Sequence, residues 1–350
     1  MTASLSFEDH SAQLRSRHDE LVAAHPKLRA RDRATRLEVS EAELIAALCG
    51  GVTVRQLAGK PNEIFAELGS LGEVMALSRN DSCVHERHGR YEDIQAGGHV
   101  GLVLGPDIDL RLFFGSWRYV YAVTENDRYS LQFFDDSGMA VHKVYITDAS
   151  DLAAYEALVA KYAAPEPTWP AVVPQEAVAN DDTVADPQGL RATWLGLKDT
   201  HDFFPMLRKY KASRLGALRA AGPDLAQQVA ADTAEVVLTR AAASGLPIMV
   251  FVNNRGIVQI HTGPVQKLLR TGPWFNVLDP KFNLHLNTEA IASAWIVNKP
   301  TTDGWVTSLE VYAATGELIV QFFGARKPGK PELVEWRELL VSLCPEPLAA

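Results

Sequence analysis

The chain has 350 residues, of which 47% are hydrophobic and 22% charged, and its formal net charge at pH 7 is −9. This length and composition predict two domains with full hydrophobic cores and exclude a largely disordered chain. The acidic balance opposes general attraction to nucleic acid, so binding to a phosphate backbone would need a local basic patch. A polar N-terminal region and the absence of a long apolar run predict a cytoplasmic protein without a membrane span.

The N-terminal region HPKLRARDRATRLEVSEAELIAAL predicts helices. Ser40 and Glu43 form a capping box, which indicates that a new helix begins there. Four arginines precede the turn at Val39 and Ser40, a rhythm that also occurs in helix-turn-helix proteins. A DNA-binding regulator is therefore a minor alternative, although the acidic net charge opposes it and such helix pairs commonly serve only packing.

Two distant stretches share the pattern of a β-hairpin. VMALSRNDSCVHE begins at Val74 and IMVFVNNRGIVQI begins at Ile248, and each places two apolar strands around a turn. Asn80 and Asn254 occupy corresponding positions in these turns. An asparagine between two apolar runs is typical of a tight strand connection, so we expect the same hairpin twice.

Further strings repeat in the same order. IDLRLFF corresponds to FNLHLNT, with Arg111 opposite His285, and SLQFFDDSG from Ser130 corresponds to SLEVYAATG from Ser308. The second pair predicts two strands around a tight turn. The sequence therefore contains an internal duplication.

Each repeat is predicted to begin with helices and to close with an amphipathic helix. The closing segments are SDLAAYEALVAKY in the first half and PELVEWRELLVSL in the second. The predicted fold class is α+β, a tandem structural duplication in which each half is a large antiparallel sheet with helices at its start and end.

Residues 163–189 differ from the rest in being rich in proline and acidic residues. Proline removes backbone donors and disfavours helix, so this segment is predicted to be an extended linker. It separates an N-terminal repeat, 1–162, from a C-terminal repeat, 190–350. Early in the second repeat, Leu190, Trp194, Leu197 and His201 follow roughly helical spacing, which predicts that His201 lies on a helix.

An antiparallel sheet with one covered face leaves its other face free. In a duplicated sheet of this kind, we expect a ligand to bind between the sheet and the helices.

The sequence contains no GxSxG, P-loop, HExxH or strand-associated GxGxxG motif, so common hydrolase, NTPase and dinucleotide-binding functions lack support.

Several strings together resemble the cytoplasmic hemin-degrading factors of bacterial haem-uptake systems, the HemS-type proteins. They are KDTHDFFPMLRKYKASRLGALRAAG, RNDSCVHE, IDLRLF, MVFVNNRGIVQIHTG, NLHL and KPTTDGWVTSLEVY. The resemblance extends from about Leu14 to Leu343 and includes the duplication. It implies a role in iron acquisition, with haem (iron protoporphyrin IX) as the ligand and the main haem site in the C-terminal repeat.

The resemblance also implies roles for individual residues. His201, in DTHDFF, matches the axial ligand of the haem iron, and Arg111 matches an arginine that acts through water on the opposite haem face. Arg214 and Lys299 match residues that approach the propionates. His85 matches a histidine proposed for a second haem site.

Three phenylalanines complete the predicted haem-binding set. Phe113 shares the strand face of Arg111, and Phe251 is predicted to contact the porphyrin. Phe323, in QFFG, stands where the family often has tyrosine. The hydroxyl of that tyrosine is therefore missing from this chain.

The residues themselves support these roles to different degrees. A neutral imidazole is a good ligand for haem iron and leaves the sixth position open, but an ordinary core or surface histidine is the alternative for His201. Arg111 should point away from Leu110 and Leu112, towards either a ligand or solvent. Arg214 and Lys299 could neutralise carboxylates or simply be surface cations.

The remaining sheet histidines lack a ligand-type spacing, and we interpret them as structural: His99, His142, His261 and His285. His85 has a weaker case than His201, because its counterpart in the second repeat is Gln259.

Two functions remain open within the haem hypothesis. As an enzyme, the protein would degrade haem oxidatively to release iron, with Arg111 as the catalytic candidate and an external reductase as electron donor. As a carrier, it would shield haem and deliver it to a separate haem oxygenase, possible partners including a haem importer. Both functions need an axial histidine, an apolar slot and cations for the propionates, so the sequence does not separate them.

Overall fold

The computed structural model describes residues 7–50, 53–175, 182–327 and 329–350. The chain forms two compact units. The first unit takes its described residues from Met1–Ser78, Glu86–Glu176 and Asn254–Gln259, and the second from Arg79–His85, Ala177–Asn253 and Ile260–Ala350.

The N-terminal half contains five described helices and nine described strands. The helices are α1 (Phe7–Ala24), α2 (Ala30–Arg36), α3 (Glu41–Ala47), α4 (Pro61–Phe65) and α5 (Leu152–Tyr162). The strands are β1 (Val54–Leu57), β2 (Gly72–Arg79), β3 (Cys83–Gly89), β4 (Ile94–Gln95), β5 (Val100–Leu104), β6 (Asp109–Phe113), β7 (Trp117–Glu125), β8 (Arg128–Asp135) and β9 (Ala140–Ser150).

The C-terminal half repeats this inventory. Its helices are α6 (Pro187–Leu195), α7 (Phe203–Tyr210), α8 (Arg214–Ala221), α9 (Thr233–Ser244) and α10 (Val334–Val341). Its strands are β10 (Ala226–Val229), β11 (Ile248–Asn253), β12 (Ile257–Gly263), β13 (Leu268–Thr271), β14 (Trp274–Leu278), β15 (Phe282–Asn287), β16 (Ser293–Thr301), β17 (Gly304–Tyr312) and β18 (Leu318–Gly324).

The strand order shows the duplication directly. All described strands belong to two antiparallel sheets of nine strands each. The N-terminal half forms the run β1-β7-β8-β9-β2-β3 and the short meander β4-β5-β6, and the C-terminal half forms the corresponding run β10-β16-β17-β18-β11-β12 and the meander β13-β14-β15. The predicted α+β duplication is therefore confirmed.

The two predicted hairpins are also confirmed, as β2 with β3 and β11 with β12. The Asn80 carboxamide oxygen accepts hydrogen bonds from the backbone N–H groups of Ser82 and Cys83, at 3.1 and 2.9 Å. The Asn254 oxygen accepts one from the backbone N–H of Gly256, at 3.0 Å. In both turns the asparagine side chain replaces a backbone acceptor, which explains why the two halves share this residue.

Local side-chain bonds also form the predicted capping box and one tight turn. The Ser40 hydroxyl accepts from the backbone N–H of Glu43 at 3.2 Å, and the Glu43 carboxylate accepts from the backbone N–H of Ser40 at 2.9 Å, where α3 begins. Between β8 and β9, one Asp135 oxygen accepts from the backbone N–H groups of Ser137 and Met139, at 2.9 and 3.0 Å.

One helix prediction is wrong. The helix that contains Leu190 and Trp194 ends at Leu195, and His201 lies instead in a three-residue 3₁₀ turn, Thr200–Asp202, just before α7. Gly196 follows the last helical residue, and the Asp199 side chain caps the new turn. These local bonds favour a break over continued helical spacing.

Residues 163–189, predicted as a linker, differ in secondary structure along their length. Residues 163–175 contain no helix or strand, and the backbone N–H of Thr168 donates to the Gln56 side chain at 2.7 Å. The Trp169 ring stacks on His10 within the first unit. Residues 176–181 are outside the described residues, and α6 begins at Pro187.

Strand alternation divides the core of the second unit into two parts. Ile296 and Val311 pack with α9 and α10 in one cluster, while Trp295 and Tyr312 pack with α6, α7 and α8 in another. Because neighbouring residues in a strand point to opposite faces, the sheet carries helices on both faces. Among the residues that the structure describes, no helix combines the length and apolar character needed to cross a lipid bilayer.

Candidate functional site

The exposed side chain of His201 is held by Asp199. One carboxylate oxygen of Asp199 accepts hydrogen bonds from the backbone N–H of His201 at 2.8 Å and from its Nδ1 at 2.6 Å. The His201 backbone N–H and imidazole hold the pKa of Asp199 below its usual value. A carboxylate fixes the proton on Nδ1, so Nε2 carries the lone pair on a side chain that is 88% exposed.

Phe203 joins the histidine turn to the core of the second unit. It begins α7 and is buried, together with Met206 and Leu207 of the same helix. The Lys299 ammonium lies 4.5 Å, and the Arg214 guanidinium carbon 5.0 Å, from the centroid of the Phe203 ring. Cations at this distance are attracted to an aromatic face, so Phe203 connects the turn with two predicted ligand-binding residues.

Lys299 and Arg214 both bind Glu310, whose side chain is completely buried. Arg214 forms a two-pronged pair with the carboxylate, at 2.7 and 2.6 Å, and the Lys299 ammonium donates at 2.9 Å. The Tyr312 hydroxyl and the Gln321 amide donate to the same carboxylate, at 2.5 and 3.0 Å. Two cations with one carboxylate leave a net charge of +1, which suits an anionic ligand group.

Burial and neighbouring charges shift the pKa values of Glu310 and Lys299 in this cluster. Burial alone would raise the pKa of Glu310, but Arg214 and Lys299 beside it hold that pKa well below its usual range. Burial lowers the pKa of Lys299 to about 8, although the attraction of Glu310 opposes the shift. Lys299 is therefore mostly protonated at pH 7.

The predicted aromatic contacts Phe251 and Phe323 meet on the same sheet. Their ring centroids are 5.0 Å apart with an interplanar angle of 62°, and both side chains are half-buried. Phe251 pairs across the strands with Gln321, which in turn pairs with Glu310. Directly paired residues share a sheet face, so the aromatic pair and the charged cluster lie on one face of the second unit.

Arg111 and Phe113 lie on β6 of the first unit. Leu110 and Leu112 are completely buried, whereas Arg111 and Phe113 are partly exposed, which confirms the predicted alternation. The guanidinium of Arg111 pairs with Asp109 on the same strand. A role for Arg111 at a bound ligand stays a prediction.

His85 is completely buried in the second unit. Its ring lies 4.9 Å from that of Phe282, which also stacks on His261 at 3.7 Å. Iron could reach His85 only if the packing around Phe282 opened. A second haem site at His85 stays a prediction.

Two other sheet histidines have partners that suit a structural role. His142 is buried in the first unit, with Nδ1 2.8 Å from the Ser78 hydroxyl and Nε2 2.5 Å from the Tyr91 hydroxyl. In the second unit, Nδ1 of His285 lies 2.7 Å from the Asn276 carboxamide oxygen.

Asp199 and Glu310 are not among the residues predicted for the site from the sequence. The acid two residues before His201 in DTH is typical of a turn cap, and Glu310 interrupts an apolar strand in SLEVY. An acid within an apolar strand indicates a buried partner, but only the folded chain shows that the partners are Arg214 and Lys299.

The donor set suits one kind of metal group. Within the described ranges, no three His, Cys, Asp or Glu side chains are grouped so that they could hold a metal ion. The second unit instead contains an exposed imidazole nitrogen, an aromatic pair and a cluster with a net positive charge. Together these suit a metal that brings its own flat, anionic ligand.

Comparison with known proteins identifies the family of the chain. The family model "Haemin-degrading HemS.ChuX domain" matches residues 38–162 and 211–343. The hemin transport protein HmuS of Yersinia pestis is 40% identical over 345 residues, which cover 97% of this chain and 100% of HmuS.

Two solved structures are also similar. Holo-PhuS, a heme-binding protein from Pseudomonas aeruginosa, is 48% identical with a TM-score of 0.92, and the match covers 95% of this chain and 99% of PhuS. ChuS, an E. coli heme oxygenase, is 38% identical with a TM-score of 0.87, covering 95% of this chain and 100% of ChuS. The chain is thus a duplicated α+β protein. It belongs to the haemin-degrading HemS/ChuX domain family.

Proposed function

We propose that this protein binds haem through His201 in its second unit and acts in the cytoplasm during bacterial haem uptake. The observation that carries this proposal is the exposed His201 imidazole, whose Nδ1 is held by Asp199. Relatives described as hemin transport, heme-binding and heme oxygenase proteins support it.

The second unit offers suitable groups for the iron, the porphyrin ring and the propionates of haem. The Nε2 lone pair of His201 is available to iron, and the half-buried rings of Phe251 and Phe323 offer an apolar contact for the porphyrin. The net charge of +1 at Arg214, Lys299 and Glu310 complements a propionate carboxylate.

The direct test is the absorption spectrum of the hemin complex. We expect His201→Ala to shift the Soret maximum and to weaken hemin binding at least about tenfold, or 1.4 kcal/mol. His99→Ala, an exposed histidine of the first unit, is the control and should match the unaltered protein. An unchanged Soret maximum and titration in His201→Ala would show that His201 is not the ligand.

A second prediction concerns the propionates. Lys299→Met removes the net positive charge of the cluster, so it should weaken hemin binding roughly tenfold to a hundredfold, since charged hydrogen bonds contribute about 1.5–3 kcal/mol. Binding of hemin dimethyl ester, which lacks the carboxylate charges, should change little. Lys209→Met, at an exposed position on α7, is the matched control. Equal losses for hemin and its ester would argue against a propionate contact.

Oxidative haem degradation is the activity that we propose first, with Arg111 as the catalytic candidate and an external reductase as electron donor. Haem delivery to a separate oxygenase is the second candidate, favoured by the exposure of His201 on a short turn that a receiving protein could reach.

To distinguish degradation from delivery, the haem complex should be incubated with a reductase and catalase. A linear tetrapyrrole product that survives catalase supports degradation, whereas bleaching only by free peroxide supports delivery.

DNA binding has little support. Six of the seven residues of α3 are buried in the first unit, and Glu41 pairs with Lys143 there. A recognition helix needs one face free to enter the major groove, and α3 does not offer one.

A further inference from the structure

We propose that Asp199 is a positioning residue that makes His201 a stronger donor to ferric than to ferrous haem iron. This inference rests on the proposed function, because it concerns the iron bound at His201. Asp199, which caps the turn Thr200–Asp202, would thereby influence the oxidation state of the bound haem iron.

The carboxylate of Asp199 is held in place by the backbone. The same oxygen that accepts from His201 Nδ1 also accepts from the His201 backbone N–H, so side-chain rotation of Asp199 would break two bonds. The backbone N–H of Asp202 donates to the Asp199 carbonyl at 3.1 Å, which closes the turn. The preceding residue is fixed as well, because the backbone N–H of Thr302 donates to the Lys198 carbonyl at 2.9 Å.

This arrangement acts on Nε2 through the ring. A carboxylate that accepts a hydrogen bond from Nδ1–H polarises this bond and raises the electron density at Nε2. Ferric iron carries one more positive charge than ferrous iron, so higher electron density at the donor atom Nε2 stabilises ferric iron more. Asp199 should therefore favour ferric haem and make reduction by an external donor more difficult.

The exposure of the pair fits a role in a complex. The side chains of Asp199 and His201 are 61% and 88% exposed, so water weakens their interaction. A porphyrin lying against His201 would exclude part of that water and strengthen the hydrogen bond. The influence of Asp199 is thus greatest when haem is bound.

The test uses two neighbouring Asp→Asn variants in the full chain. Asp199→Asn keeps an oxygen that can accept both His201 N–H groups but removes the negative charge. Asp202→Asn removes the same charge on the other side of His201, at a side chain that makes no capping bond. Hemin complexes are reduced with dithionite, the iron–histidine stretching frequency is measured by resonance Raman spectroscopy, and the Fe(III)/Fe(II) midpoint potential by spectroelectrochemistry.

We expect Asp199→Asn to lower the iron–histidine stretching frequency. It should also reduce the preference for ferric over ferrous haem about tenfold, which raises the midpoint potential by about 59 mV for one electron. Asp202→Asn should leave both values unchanged. Values for Asp199→Asn equal to those of the unaltered protein, or equal shifts in the two variants, would overturn the role of Asp199.

The failure of the proposed function would look different. If the unaltered protein shows no iron–histidine band that His201→Ala removes, then His201 is not the ligand and both proposals fail. If His201→Ala removes the band but Asp199→Asn leaves its frequency and the potential unchanged, only the inference about Asp199 fails.

Discussion

Replacing Glu310 with alanine is expected to lower the free energy of unfolding of the second unit by about 3–5 kcal/mol. The variant leaves Arg214 of α8 and Lys299 of β16 close together with no carboxylate between them. Removing one partner of a buried ion pair costs more than the pair contributes, because the remaining charges keep their desolvation penalty.

Urea unfolding followed by tryptophan fluorescence measures this loss, since five of the seven tryptophans belong to the second unit. Glu317→Ala removes an exposed carboxylate near the same sheet and should change stability by less than about 0.5 kcal/mol. In the Glu310→Ala background, adding Lys299→Met should recover part of the loss, because one of the two unpaired cations is gone. A Glu310→Ala protein as stable as Glu317→Ala would contradict the account of the cluster.

The unfolding free energy of the first unit should fall by about 2–3 kcal/mol between pH 7 and pH 4.5 because of His142 alone. Burial lowers the pKa of His142 to about 3, compared with 6.5 in the unfolded chain. Unfolding therefore takes up a proton in this pH window, so stability is lost as the pH falls below 6.5. His142→Gln has no such group, and its stability should depend less steeply on pH.

The relevant measurement is the difference in unfolding free energy between the unaltered protein and His142→Gln, taken at intervals from pH 7 to pH 4.5. We expect this difference to shrink steadily as the pH is lowered. His99→Gln, with its side chain in water, should follow the unaltered protein throughout. Parallel curves for the unaltered protein and His142→Gln would mean that the imidazole takes up a proton equally readily in the folded and the unfolded state.

The features that the sequence predicts correctly are set by local patterns. The hairpins at Asn80 and Asn254 and the capping box at Ser40 depend on residues that are close in the chain. Alternation along β6 likewise placed Leu110 inside and Arg111 at the surface. Repetition of such patterns in both halves was sufficient to predict the duplicated sheet.

The site was less predictable because its parts are distant in sequence. Helical spacing misplaced His201, since it takes no account of the bonds between the Asp199 side chain and the turn. The family resemblance supplied Arg214 and Lys299, but their common partner Glu310 is visible only when β16, β17 and α8 pack together. The aromatic pair of Phe251 and Phe323 similarly depends on the register of β11 with β18.

The repeated strand plan also bears on how ligand chemistry can arise in one copy of a duplicated protein. In the matching strings SLQFF and SLEVY, Gln132 of the first half stands where Glu310 stands in the second. Gln132 on β8 and Glu310 on β17 are both buried. The amide is neutral, whereas the carboxylate is ionised. An acid in place of an amide at a single interior position, with two cations beside it, therefore gives one half an ionic cluster where its twin has a neutral side chain.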